Sequence, residues 1–331
     1  MAGWKRSLLV LAAAILIVAA AGAGGGWYLA QAYLRTPATL HEQAVVLLPR
    51  GSGVNAIAGQ LAEAGAIEHP WLFAAIARLT GRDRRLKAGE YAIQPGMSPQ
   101  DILALLESGK VLLHALVVPE GLTVPEVYAL LQGAEVLSGE LPPPPPEGSL
   151  LPETYLVPRG EPRARLVGRM QADMAAALAE AWARRKPDLP LRTPEEALTL
   201  ASIIEKETAR PDEYGLVAAV FANRLRRGMK LQTDPTVIYA LANGQGPLGR
   251  ELTRADLALP HPYNTYLIDG LPPGPIANPG RAALAASVQP AAVDYLYFVA
   301  SGDGGHTFAS TLEEHNRNVA RWRKLRRANG G

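Results

Sequence analysis

Residues 193–208 read TPEEALTLASIIEKET, and their spacing predicts a helix. Thr193 with Glu196 three residues later forms a capping box, and Pro194 suits the first helical position. At about 100° per residue, Ala197, Leu200, Ile203 and Ile204 share an apolar face, with Ser202, Lys206, Glu195 and Thr199 on a wet one. Glu207 projects between Ile203 and Leu200, on the apolar side. Glu205 points about 160° away, beside Leu198 and Ala201. The two carboxylates therefore cannot enter one cleft from a regular helix. A carboxylic acid among apolar neighbours has its charged form disfavoured and its pKa raised. A general acid for a glycosidic bond needs that property near neutral pH. The same spacing also allows Glu207 to sit exposed at the helix end, or to pair with Arg210 or Arg224.

Working outward, residues 150–331 read as one unit. A Leu/Pro/Tyr segment (150–158) leads to a long helix over 162–185, and the helix at 194–209 is followed by another at 213–227. Loops rich in Pro and Gly fill 228–281. A strand at 295–300, the turn Gly302-Asp303-Gly304-Gly305 and a return strand at 306–308 predict a hairpin, and a basic helix follows. Residues 45–110 read as a smaller module. It has a strand at 45–48, helices at 54–64 and 69–79, a strand at 86–93, and a helix from the N-cap Ser98 to Gly109. A buried strand is expected at 111–118, then a helix opened by the capping box Thr123–Glu126. Pro142 to Pro146 form a polyproline-type spacer or loop.

The chain has 331 residues and no cysteine. It therefore has no disulfide, thiolate nucleophile, zinc finger, iron–sulfur cluster or lipidated cysteine. A net charge of +2, without a concentrated basic stripe, leaves no footprint for nucleic acid. Lys5 and Arg6 precede a run free of charge from Ser7 to Leu34. That run reaches the ~20 residues needed to cross a bilayer. Two readings compete: a signal peptide cleaved near Ala21-Gly22-Ala23, or an anchor continuing to the interfacial aromatics Trp27, Tyr28 and Tyr33. On either, the N-terminus is cytoplasmic and residues 36–331 lie outside. The expected organisation is a cytoplasmic tail (1–6), an anchor (7–34), a module (42–116), a connecting helix and Pro-rich spacer (117–149), and a catalytic unit (150–331).

No GxSxG elbow or HExxH pair occurs, and the six histidines show no metal-ligand spacing, so neither a metal nor a cofactor is expected. A cluster of polar and aromatic residues occupies the loops: Gln232, Thr233, Asp234 and Tyr239, then His261 to Tyr266, then Gly270 to Gly280. Such mixtures bind sugars, and they are also ordinary turn chemistry. His306, after its Gly-rich turn, is equally a hairpin-edge histidine.

Four segments together resemble the YceG-like family, whose characterised members are endolytic murein transglycosylases. They are LASIIEKET (200–208), VFANRLRRGMKLQTDPTVIYAL (220–241), YNTYLIDGLPPGPIANPG (263–280) and YLYFVASGDGGHTF (295–308). The resemblance implies an α+β fold in which a small LysM-like module, here 42–116, precedes the catalytic domain. It puts the catalytic glutamate at Glu207 and gives Glu205 a supporting role. Gln232, Asp234, Tyr263, Asn264, Thr265 and His306 also match motif positions. An aromatic-rich F-P-D-T-Y element of the family becomes Leu150 to Tyr155 here, with Glu153 in place of Asp, which puts sugar stacking there in doubt. The short loop Thr208 to Pro211 is compact relative to the family pattern.

The implied reaction is a lytic cleavage of the MurNAc–GlcNAc bond of nascent peptidoglycan. Protonated Glu207 donates to the bridging oxygen, an oxocarbenium-like transition state forms, and the C6 hydroxyl of the same MurNAc attacks C1 while its proton goes to Glu207. The implied partners are glycan strands and membrane synthases of the penicillin-binding class. Two rivals remain open. A hydrolase would need a second carboxylate from Asp234, Glu153 or Glu205, and a non-catalytic wall-binding scaffold would not need Glu207.

Overall fold

The computed structural model describes residues 2–38 and 40–328. It mixes helices with four two-stranded sheets and divides into two compact units. The first holds the chain to His114 and the short segment Val157–Arg159; the second holds Ala115–Leu156 and the chain from Gly160 onward.

The first unit begins with α1 (Ala2–Arg35), which contains the stretch Leu9–Arg35, long and apolar enough to cross a membrane. Leu34 at its far end is buried in this unit's core, and the Tyr33 ring lies 6.0 Å from that of His69. The strands β1 (Ala44–Leu48) and β2 (Gly89–Ile93) pair antiparallel from Ala44↔Ile93 to Leu48↔Gly89. The two-residue side-chain period sends Val46 and Leu48 inward and leaves Val45 and Leu47 exposed. Between them run α2 (Val54–Glu63) and α3 (Pro70–Leu79), with α4 (Pro99–Ser108) following β2. Leu61, Phe73, Tyr91, Ile93 and Leu106 fill the core. The strand begins at Gly89 rather than 86. Gly89 has φ of +150°, and a Cβ there would collide with Val111.

The next strand, β3 (Leu113–Val117), is not buried as expected. Leu113 and Val117 are exposed, because β3 pairs with a single neighbour and only one of its faces is covered.

After β3 the chain continues through α5 (Val124–Gly133), β4 (Leu137–Ser138), β5 (Thr154–Pro158), β6 (Glu161–Pro162) and α6 (Arg163–Ala183), all in the second unit except the end of β5 from Val157. Residues 117–149, set apart by the sequence as a connector, pack with this unit. The Tyr128 hydroxyl of α5 donates to the Pro143 carbonyl within the proline run. Next come α7 (Pro194–Glu207) and α8 (Tyr214–Arg226). Two helices then break up the region read as loops or left unassigned: α9 (Asp234–Ala242) and α10 (Arg281–Val288). The hairpin β7 (Tyr297–Ala300) and β8 (His306–Ala309) leads to α11 (Leu312–Ala328).

α7 is the central helix of this unit, packed by α6, α8, α9 and α10. Leu200, Ile203, Ile204, Val217, Phe221 and Leu284 form its main contacts, and burial of each such side chain stabilises by about 1.5–3 kcal/mol. Of the wet face expected of α7, Glu195 and Lys206 are exposed, and the two hydroxyl residues are not. Ser202 is fully buried and Thr199 nearly so. Ser202 Oγ donates to the Thr199 carbonyl and accepts the Ile276 N–H. The capping box is also only half made. Thr193 accepts from the Glu196 N–H, but the Glu196 carboxylate accepts from Arg192 N instead of closing on Thr193.

Candidate active site

Glu207 is the last residue of α7, and Thr208 behind it is extended. This places the carboxyl at the helix end, beside the start of α9. Thr233 precedes α9, yet its hydroxyl does not cap that helix. It donates instead to Glu207 Oε2 at 2.6 Å. Thr233 is in turn held from behind, its N–H donating to Thr265 Oγ1, which also shares a hydrogen bond with Thr236.

A cavity of about 360 Å³ opens at this point. Glu207, Asp234, Gln232, Arg224, Tyr266 and His306 line it, with Phe298 and His315. Asp234 Oδ1 accepts from the Tyr266 hydroxyl at 2.6 Å. Gln232 has φ of +53°, an unusual left-handed conformation for a non-glycine residue, and its N–H is tied to the Thr265 carbonyl. Arg224 is buried: Nε donates to the Leu296 carbonyl and Nη1 to those of Lys230 and Leu231.

Burial pushes the Glu207 carboxyl above the ordinary glutamate range, and the charge of Asp234 adds to the rise. The Thr233 hydrogen bond, His306 and Arg224 act the other way without cancelling it. Neither bland reading of Glu207 holds. The residue is partly buried, Arg210 pairs with Asp212, and Arg224 spends its guanidinium chiefly on backbone carbonyls.

A second carboxylate, Glu213, sits just behind the wall. It is buried and accepts from the His306 N–H at 2.9 Å and from Thr208 Oγ1 at 3.2 Å. Its Oε2 lies 2.7 Å from His306 Nδ1. These bonds overcome the effect of burial and hold Glu213 below the ordinary range. Two carboxyl groups, one bonded to His306 and one sharing its cavity, are thus shifted in opposite directions. The arrangement can supply a proton, accept one, and direct hydrogen bonds to a polyol. Among the described residues no group of three or more His, Asp or Glu is placed to hold a metal.

Of the residues singled out in the sequence, Glu207, Gln232, Asp234 and His306 share this cavity. Thr265 stands one layer behind. Asn264 is wholly buried and braces the loop, donating to the Leu257 and Leu259 carbonyls. Tyr263 packs on Tyr239, ring centres 4.9 Å apart. Glu205 accepts from the Tyr214 hydroxyl and the Gly280 N–H. Glu153 is exposed and faces Arg281 at 3.4 Å. None of these last four lines the cavity. Glu213 went unnoticed in the sequence, because an acid in a Pro-Asp-Glu turn opening a helix looks like an ordinary solvated end. Arg224, read only as a possible mate for Glu207, gives no sequence signal of its carbonyl-binding role.

The sequence model of the YceG-like family matches residues 46–321. The chain belongs to the YceG-like family. An endolytic murein transglycosylase of Streptococcus pneumoniae is 32% identical across 88% of the chain and 61% of its own length. The chain thus spans about three-fifths of that relative. An endolytic murein transglycosylase of Bacillus subtilis is 31% identical, with 82% of both chains covered. The crystal structure of a yceG-like protein from Listeria monocytogenes is 31% identical with a TM-score of 0.50, over 83% of this chain and 99% of that one. In this YceG-like chain the family match takes in α7, α8, α9 and the β7–β8 hairpin, the elements that build the cavity.

Proposed function

We propose that this protein is a lytic transglycosylase that cleaves the MurNAc–GlcNAc bond of peptidoglycan strands and leaves 1,6-anhydro-MurNAc ends. The observation that carries the reading is Glu207. It is a carboxylic acid with raised pKa at the wall of a polar cavity, fixed by one short hydrogen bond. The relatives' names support the same chemistry. Glu207 donates its proton to the bridging oxygen as the bond to C1 breaks through an oxocarbenium-like transition state. The C6 hydroxyl of the same sugar then closes on C1. A nucleophile carried by the substrate benefits from a high effective concentration, so no water need be held.

In this reading α1 is a single-pass anchor with a cytoplasmic N-terminus, the catalytic unit acts outside the cytoplasm, and synthases of the penicillin-binding class are neighbours. Residues 42–116 serve as a LysM-like glycan-holding module, 117–149 connect, and 150–331 form the catalytic domain.

The test is mass spectrometry of purified glycan strands after incubation with the full chain in detergent, beside Glu207→Gln. Anhydro ends from the wild type alone are expected. Asp234 favours one second reading, hydrolysis, because it is the one suggested partner carboxylate that shares the cavity with Glu207. Reducing ends in place of anhydro ends would select it. Glycan binding without cleavage by either protein would leave a scaffold.

A further inference from the structure

We propose that His306, held by Glu213, is the base that takes the proton from the attacking hydroxyl, while Glu207 serves as the acid alone. The inference rests on the lytic reading above and divides its two proton transfers between two residues.

The argument starts from Glu213. Its carboxylate is buried and receives hydrogen bonds from the His306 N–H and the Thr208 hydroxyl, with Arg210 Nε 3.7 Å away. These neighbours favour its ionised form. An ionised carboxylate only accepts, so the His306 Nδ1 facing it at 2.7 Å must carry the proton. The neutral ring is then the Nδ1–H tautomer, with the Nε2 lone pair free to accept. His306 lines the same cavity as Glu207, and the ring hydrogen bond found among the described residues is made by Nδ1 and not by Nε2. The ring is wedged by Phe298, edge to face with centres 5.1 Å apart. Gly305 permits this approach, since a Cβ there would lie 2.5 Å from the Glu213 carboxylate.

Glu207 has one of its two oxygens engaged. Its Oε2 is bound to Thr233 at 2.6 Å, and Thr233 is fixed by Thr265. Oε1 then faces the bridging oxygen, and a second group takes the O6 proton. With His306 as base the transfers are separate and balanced. The O6–H proton goes to Nε2 as the O6–C1 bond forms, and the C1–O4 bond breaks as O4 takes the proton of Glu207. The site ends with an imidazolium and a carboxylate, and one proton returned from His306 to Glu207 resets it. A carboxylate–histidine pair that fixes the tautomer for a substrate hydroxyl is a recurrent solution to this problem. Glu213 is the positioning residue and His306 the catalytic one.

The test uses the full chain in detergent and glycan strands as substrate, with Glu213→Gln, His306→Gln and the double variant, all checked by thermal unfolding. The amide introduced by Glu213→Gln keeps an acceptor for the backbone N–H but turns an NH₂ toward Nδ1, which reverses the tautomer. Each single variant should lose kcat by about 100-fold or more with little change in KM. The double variant should be no slower than His306→Gln. Nitrogen NMR of ¹⁵N-histidine protein should show the His306 proton moving from Nδ1 to Nε2 in Glu213→Gln. A wild-type kcat in His306→Gln, or losses that multiply in the double variant, would overturn the proposal and return both transfers to Glu207. Should Glu213→Gln not fold, His306→Gln alone decides. Absence of anhydro ends from the wild type would instead sink the lytic reading, whatever the tautomer.

Discussion

Replacing Thr233 by valine removes one hydroxyl and nearly nothing else, and its effect on Glu207 can be reckoned. The hydroxyl donates to Oε2 at 2.6 Å and stabilises the carboxylate more than the neutral acid. A hydrogen bond to a charged group contributes about 1.5–3 kcal/mol. The neutral acid retains part of that bond, so the difference between the two states is about 1.5 kcal/mol. Removal of the hydroxyl therefore raises the Glu207 pKa further. For a general acid, activity is lost as pH rises through that pKa. The alkaline limb of the rate profile should therefore move upward. The assay is the rate of product-end formation from glycan strands at closely spaced pH values, for wild type and Thr233→Val. An alkaline limb that stays in place or moves down would refute the assignment of that limb to Glu207.

Other outcomes follow from the same geometry. Burial pushes the Glu147 carboxyl up to about 7, partly offset by the N–H groups of Val124 and Gly148. The folded state therefore binds more protons than the unfolded chain between the ordinary value of 4.5 and about 7. Stability is full below that window and falls as pH rises through it, by on the order of 2 kcal/mol. Urea unfolding at both ends of the window should show the fall in wild type and a flatter profile in Glu147→Gln. Ser202→Ala leaves the buried Ile276 N–H without its acceptor and should cost about 1–3 kcal/mol in the same assay. Asn264→Ala unties the Leu257 and Leu259 carbonyls; a loss of about 2–3 kcal/mol should accompany weaker substrate binding, because Asn264 Oδ1 also holds the Tyr266 N–H.

The elements of the first unit were legible from short-range rules. Ser98 as N-cap, Pro99 as first helical residue and Gly109 as stop bound α4, and the structure has all three, closing the cap into a box with Asp101 and making the stop left-handed. α9 was hidden because its start, Thr233-Asp234-Pro235, uses the residues of a turn, although Pro235 in the first turn was a usable signal. The wet face assigned to α7 holds at Glu195 and Lys206 but not at Ser202 and Thr199, for a different reason. Serine and threonine look solvated by residue type, and only the packing of α6, α8 and α10 around the helix buries them.

Local sequence determined that α7 exists, that it ends close to Glu207, and that Glu205 and Glu207 diverge, because helix geometry depends on a few neighbouring residues. It also determined the apolar N-terminal helix and, through four separated motifs, the family. Tertiary structure alone decided which groups meet. Thr233 reaches Glu207 across 26 residues, and Glu213 reaches His306 across 93. Which carboxyl is raised and which lowered follows from that meeting, since burial and hydrogen-bond partners are properties of the packed chain and not of the residue type.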